Sequence, residues 1–204
     1  MKISYALTCC TELEELKKLI PFLLKHKREQ DEIVVQQDGE EEKVFFYLEN
    51  LHNQGKIKHF CGSLKNNFAN FKNNLFEHCV GDFLIFLDAD EMPHEFLIKN
   101  LPYVLENSDI DLLYISRINT VKGITKEHIK KWGWKVDENK WINYPDRQSR
   151  IVRNIPELRW EGHVHETIKG YKTFSNLPKI EEWSLYHHKT IEKQEFQNKY
   201  YDTL

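Results

Sequence analysis

The sequence predicts an α/β domain built on a largely parallel sheet, and three observations carry that prediction. Short apolar runs of strand length alternate with stretches of helical periodicity through the first half of the chain. The run Phe83–Leu87 is apolar on both faces, as a strand covered from both sides must be. Polar and acidic residues stand where three of these runs end, at Leu7–Thr11, Gln36–Gly39 and Leu87–Glu91. Ligands of open α/β sheets bind beyond the carboxyl ends of the strands, so these three ends predict one crevice.

The elements follow in order. Residues 2–7 make a first strand, broken at Thr8–Thr11. Leu13, Leu16, Leu19, Ile20, Leu23 and Leu24 then recur at helical spacing. Glu32–Gln36 reads as a second strand that leads into Asp38-Gly39, a turn-forming pair. Val44, Leu48 and Leu51 predict a second helix, and Ile57–Phe60 a third strand. Phe68–Cys79 reads as a helix with Phe68, Phe71, Leu75 and Phe76 on one side, before the strand Asp82–Leu87. Past Pro93, Phe96, Leu97, Leu101, Val104 and Leu105 continue as a helix, and Asp111–Arg117 as a strand. Residues 118–178 show no clear period and hold Trp132, Trp134, Trp141 and Trp160, four of the five tryptophans. Ile180–His187 reads as a strand and Thr190–Tyr201 as a last helix. With no repeat or linker in view, residues 1–204 are expected to form one domain. Within it a regular front half runs to about residue 110, and an irregular back half covers about 111–204.

Composition narrows the function classes. Lys plus Arg total 29 against 32 Asp plus Glu, and that near balance argues against a nucleic-acid binder. No apolar run approaches the roughly 20 residues of a transmembrane helix. The opening MKISYALTCC runs into TELEELKK, which is no secretory segment. Cys9 and Cys10 are adjacent while Cys61 and Cys79 are distant, a spacing of neither a zinc site nor a disulfide framework. They read as buried free thiols of a reducing compartment, so a cytoplasmic protein is expected.

The chemistry concentrates in Asp88-Ala89-Asp90-Glu91. Carboxylates this close raise one another's pKa unless a cation or hydrogen-bond donors offset the repulsion. A hard divalent ion, Mn2+ or Mg2+, suits the oxygen ligands, and such an ion neutralises a departing diphosphate. The competing structural reading is a set of acids at a helix start, and it applies best to Glu91, just ahead of the helix near Pro93.

Two stretches, Asn67-Phe68-Ala69-Asn70-Phe71-Lys72-Asn73-Asn74-Leu75 and Gly81 through Glu91, together resemble family 2 glycosyltransferases with the GT-A fold. Trp160-Glu161-Gly162-His163-Val164-His165-Glu166 and the region of His187 strengthen the resemblance, which spans most of the chain. It implies a Rossmann-like mixed central sheet flanked by helices, with a nucleotide-sugar-binding half over about 1–110 and an acceptor-side and catalytic half over about 111–204. It also implies metal-dependent, inverting sugar transfer from a nucleotide-sugar donor, a UDP-sugar in first place, to a glycan or lipid-linked saccharide. A lipid-linked acceptor would bring peripheral membrane contact. By the same resemblance Thr8 lines the nucleoside pocket and Asp38 holds the base. Because the run here is Gln36-Gln37-Asp38-Gly39-Glu40, Gln37 is an alternative for that contact. Lys72 and Asn73 match a pair that positions the donor, Asp88 a ribose or metal contact, and Asp90 the direct metal ligand. His187 matches a metal-ligand histidine, with His188 as its alternative, since a one-residue shift of register exchanges their faces.

Inverting transfer needs a general base. Glu166 is the first choice, from the His165-Glu166 pair, and Asp146 the reserve. The acceptor or phosphate side is assigned to Arg117, Trp134, Arg150, Trp160 and His165, because indole faces stack on sugars and the guanidinium fork holds phosphate. Two rivals stand beside this reading. A metal-dependent nucleotidyltransferase would need a Gly-rich basic loop, which the stretch after Ala6 lacks. A non-catalytic carbohydrate-binding or degenerate scaffold would need neither Asp90 nor Glu166.

Overall fold

The computed structural model describes residues 1–163 and 165–201. Val164, within the Trp160–Glu166 stretch, and residues 202–204 lie outside the described residues. The first half is an alternation of β1 (Ile3–Cys9), α1 (Leu13–His26), β2 (Glu32–Asp38), α2 (Glu42–Asn53), β3 (Lys58–Gly62), α3 (Phe68–His78) and β4 (Phe83–Asp88). There follow β5 (Glu91–Pro93), α4 (Glu95–Glu106), β6 (Leu112–Lys122), α5 (Lys126–Trp132) and β7 (Ile142–Arg153). The chain continues with β8 (Arg159–Glu161), β9 (Thr167–Lys169), β10 (Phe174–Asn176), a 3-10 turn (Glu181–Trp183), β11 (Ser184–Thr190) and α6 (Ile191–Tyr201).

The main sheet runs β3-β2-β1-β4-β7-β6-β11-β5, with β10 added beside the start of β6. Strands β3, β2, β1 and β4 are mutually parallel, whereas β7 is antiparallel to both of its neighbours. The sheet is therefore mixed, its parallel portion being the first half together with the β11–β6 and β10–β6 pairs. Alternation sorts side chains to two faces. Tyr5, Leu7, Ile33, Val35, Ile85 and Leu87 pack under α1, α2 and α4. Ala6, Val34, Leu84 and Phe86 pack against α3 and the small β8–β9 hairpin, where Trp160 sets its edge on Phe86 at 5.3 Å between centroids. Entry to β4 requires a glycine: a Cβ on Gly81 would lie 2.6 Å from the Ser4 backbone nitrogen.

Three expectations are revised. β6 continues five residues past Arg117, to Lys122. The last strand begins at Ser184, because Glu181–Trp183 coil into a turn, and it extends to Thr190. Within the stretch that lacks periodicity lies β7, a twelve-residue strand through the middle of the sheet. Its sequence INYPDRQSRIVR has no clean alternation, and its strand form comes from ladders on both sides, to β4 and β6. The thiols also divide: Cys9 and Cys79 are buried, Cys10 is partly exposed and Cys61 exposed, and all four are free.

Candidate active site

A cavity of about 700 Å3 opens at the carboxyl ends of β1, β2 and β4. The three strand ends converge there as the sequence predicts, with Thr8, Cys10, Asp38, Asp88 and Asp90 among the lining residues. In the ladder Thr8 stands level with Asp88, and its hydroxyl donates to Asp88 Oδ1 at 3.0 Å. Asp38 ends β2 and accepts from the Leu64 backbone N–H at 2.9 Å, which ties the β3–α3 loop to the β2 end of the cavity.

Below Asp88 lies a buried charge network. Arg150 of β7, only 4% exposed, donates to Asp88 Oδ2 at 2.5 Å and to Glu91 Oε1 at 2.6 Å. Arg117 of β6 reaches the same Glu91 oxygen at 3.0 Å and Asp146 at 2.8 Å. Glu91, read from sequence as a helix-start acid, is thus a buried partner for two guanidinium groups. Burial works to raise the pKa of Asp88, but the charges of Arg150 and Lys72 outweigh it and hold the carboxylate well below its usual range. Burial disfavours the Arg150 charge, and Asp88 and Glu91 more than compensate, so its pKa rises.

Asp90 faces the other way, toward β11 and α6. His187 Nε2 lies 3.4 Å from Asp90 Oδ2, and Lys193 of α6 lies 3.3 Å from the same oxygen while also reaching Glu15 of α1. Burial would raise the Asp90 pKa; the hydrogen bond and charge of His187, with Lys193, bring it well below the usual carboxylate range. The neighbour His188 turns outward, stacking with Tyr186 and meeting Thr120. Register decides between the two histidines, because His187 is level with Asn119 on β6 and Glu91 on β5.

Asn119 is a site residue that sequence reasoning missed. Its Nδ2 donates to Asp146 at 2.8 Å, and its Oδ1 lies 2.7 Å from His187 Nδ1. An ionised carboxylate only accepts, so the amide NH2 must face Asp146 and its oxygen must face the imidazole. His187 Nδ1 then carries a proton, and Nε2 faces Asp90. No local pattern marks Asn119, since its partners lie on two other strands.

The base candidates differ in setting. Asp146 accepts from Arg117, Asn119 and Gln148, at 2.9, 2.8 and 2.7 Å. Burial tends to raise its pKa, and the Arg117 charge with these hydrogen bonds brings it below the ordinary carboxylate value. Glu166 meets Lys72 through Oε1 at 2.5 Å, and that ammonium sits 4.6 Å from the Trp160 ring centroid. Lys72, Trp134, Trp160, His165 and Glu166 all line the cavity, and His165 has a left-handed φ of 58°. Asn73 is placed otherwise: its amide donates to Trp160 O at 2.9 Å and accepts from Trp160 N at 2.8 Å, clamping α3 to β8.

Among the described residues no three His, Cys, Asp or Glu side chains gather to hold a metal ion. Asp88 is occupied by Arg150, which leaves Asp90 and His187 as the donor pair. A carboxylate and an imidazole suit Mg2+ or Mn2+, which take one or two protein ligands and complete their shells with substrate phosphate and water. The residues present therefore fit such an ion.

The sequence model of glycosyl transferase family 2 matches residues 4–177. The chain belongs to that family. No curated protein matches it in sequence. In three dimensions it resembles S. aureus TarS, whose residues 1–349 in complex with UDP superpose at TM-score 0.63 with 15% identity, over 92% of this chain and 60% of that one. The UDP-GlcNAc complex gives 0.60 at 15%, covering 92% and 58%, and the longer TarS structure 0.62 at 14%, covering 97% and 38%. This family 2 chain thus spans about three-fifths or less of the TarS chains it resembles. Among the described residues no helix is long and apolar enough to cross a membrane.

Proposed function

We propose that this chain is an inverting, metal-dependent glycosyltransferase that moves a sugar from a nucleotide-sugar donor to a glycan or lipid-linked acceptor. The observation that carries the reading is the Asp90–His187 pair, set at the carboxyl end of β4 beside Asp88 and across the cavity from Asp38. Asp38 and Thr8 bind the nucleoside, with UDP favoured because TarS is described in complex with UDP. Asp90 and His187 would hold Mn2+ or Mg2+, which neutralises charge on the departing diphosphate. Lys72 adds a fixed positive charge beside the transferring sugar.

Glu166 is the base we favour over Asp146. Three side chains already donate to the Asp146 carboxylate, whereas Lys72 holds Glu166 Oε1 and leaves Oε2 for an acceptor hydroxyl. Glu166 takes the hydroxyl proton as that oxygen attacks the anomeric carbon from the face opposite the diphosphate. Asp146 with Arg117 then orders β6 and β7 around the acceptor side.

Calorimetric titration with UDP, GDP, CMP and dTDP, with and without Mn2+, tests the reading against Asp90→Asn. Manganese-dependent binding of one nucleotide, lost in the variant, supports the donor site and names the base. Absence of binding under every condition refutes an intact transferase and leaves a carbohydrate-binding scaffold. Product anomeric configuration, read by NMR, tests inversion.

A further inference from the structure

The β6–β7 connection is an ordered arm rather than a loose loop. Thr125 and His128 form a capping box at the start of α5, and Gly133 closes it with a left-handed φ of 63°. Lys135 and Asn143 pair across its base, and Asp137 Oδ1 accepts from the backbone N–H groups of Asn139 and Trp141. His128 leans on Glu195 of α6 at 3.7 Å. Yet α5 has no buried residue, so its aromatic content serves no core.

Those rings form a track. His128 stacks on Trp132 with centroids 5.1 Å apart and planes 13° apart, and Trp132 meets Trp134 at 4.7 Å. Trp134 in turn lines the cavity together with Asp146. The same arm carries Lys126, Lys130, Lys131, Lys135 and Lys140, all exposed. Residues 124–141 hold these five lysines against three acids, in a chain whose net charge is −3. None of the five forms an ion pair among the described residues, and Lys131 lies 6.0 Å from the Trp132 ring centroid.

We infer that this arm binds an anionic saccharide acceptor, its indoles stacking on sugar faces and its lysines pairing with carboxylate or phosphate groups. The inference rests on the transferase reading, since the track ends at the proposed acceptor side. An arm that carries unpaired ammonium groups together with aromatic faces leading into a cavity matches a charged sugar chain better than an uncharged one. Each exposed charge pair changes affinity only by up to about fivefold, so several lysines acting together discriminate by about tenfold.

The test measures binding of hexagalacturonate, pentamannose 6-phosphate and maltohexaose by tryptophan fluorescence, with UDP titrated in parallel. The proteins are the wild type, a Lys130→Ala/Lys131→Ala/Lys135→Ala variant, and a Lys18→Ala/Lys43→Ala/Lys56→Ala control. The expected result is binding of at least one anionic saccharide, weakened about tenfold by the arm substitutions and by added salt, with the control and UDP affinity unchanged. The two anionic probes separate carboxylate from phosphate as the recognised group. Equal affinity for maltohexaose, or equal binding by the arm variant, overturns the inference. So does capture by phosphatidylglycerol vesicles with no saccharide binding, which would make the arm a membrane contact. Loss of UDP binding in the wild type would instead count against the transferase reading.

Discussion

The first half and the second half of this molecule are held together differently. From β1 to β4, each strand pairs in parallel with another of the four, and strands alternate with helices along the chain. From β6 onward that alternation is lost and strands also pair with distant ones: β7 lies between β4 and β6, and β11 between β6 and β5. The first half therefore carries its structure in local periodicity, and the second half depends on partners. The functional groups follow the same division. Thr8, Asp38 and Asp88 sit on predictable strand ends, whereas Asn119, Arg150 and His187 meet the site only because β6, β7 and β11 are stacked in register.

Substitutions can break or sharpen that contrast. The largest effect is expected on the acceptor side: Glu166→Gln should lower kcat by about 10²–10⁴ in a sugar-transfer assay while leaving UDP affinity nearly unchanged. Asp146→Asn losing as much, with Glu166→Gln mild, would exchange the two roles. Next, Arg150→Ala removes the shared partner of Asp88 and Glu91 and should cost about 3–5 kcal/mol of stability in urea unfolding. A loss under 1 kcal/mol would show that the two halves are not joined through this network.

Asn119→Ala frees the His187 tautomer and should weaken Mn2+ binding about 10- to 100-fold, measured by EPR of the free ion. Nitrogen NMR of the imidazole should then show the Nδ1–H form losing its dominance, and unchanged spectra would remove Asn119 from the site. Within the first half, Glu32 accepts from Ser4, the Val80 backbone, Lys2 and Lys58. Burial opposes the shift, and those bonds bring its pKa down to about 2 from 4.5. Its folded pKa is depressed, so its contribution is full above 4.5 and fades as pH falls toward about 2. Glu32→Gln should thus cost about 1–2 kcal/mol at neutral pH, discounted for partial solvation. That gap should narrow in unfolding curves taken below pH 4.5, and a gap constant with pH would refute the assignment.

The smallest effect concerns α6. Lys193 sits on the Asp90 oxygen that a cation would use, so Lys193→Ala should raise Mn2+ affinity about threefold, a change of roughly 0.6 kcal/mol. Weaker Mn2+ binding in that variant would mean that the helix supports the cation instead of competing with it.

By itself the sequence determined the α/β class, the strand ends that form the cavity, and the acidic loop after β4, because periodicity and strand-end chemistry are local. The site residues it named all line the cavity, with Asn73 the exception: its helical position was legible, but not that both its amide atoms hold the Trp160 backbone. The tertiary structure alone decided that β7 is a strand, that Glu91 is buried between Arg117 and Arg150, and that His187 rather than His188 faces Asp90. Each of those outcomes depends on ladder register and on charges brought together across 26 to 97 residues of chain, and neither leaves a mark in the neighbouring sequence.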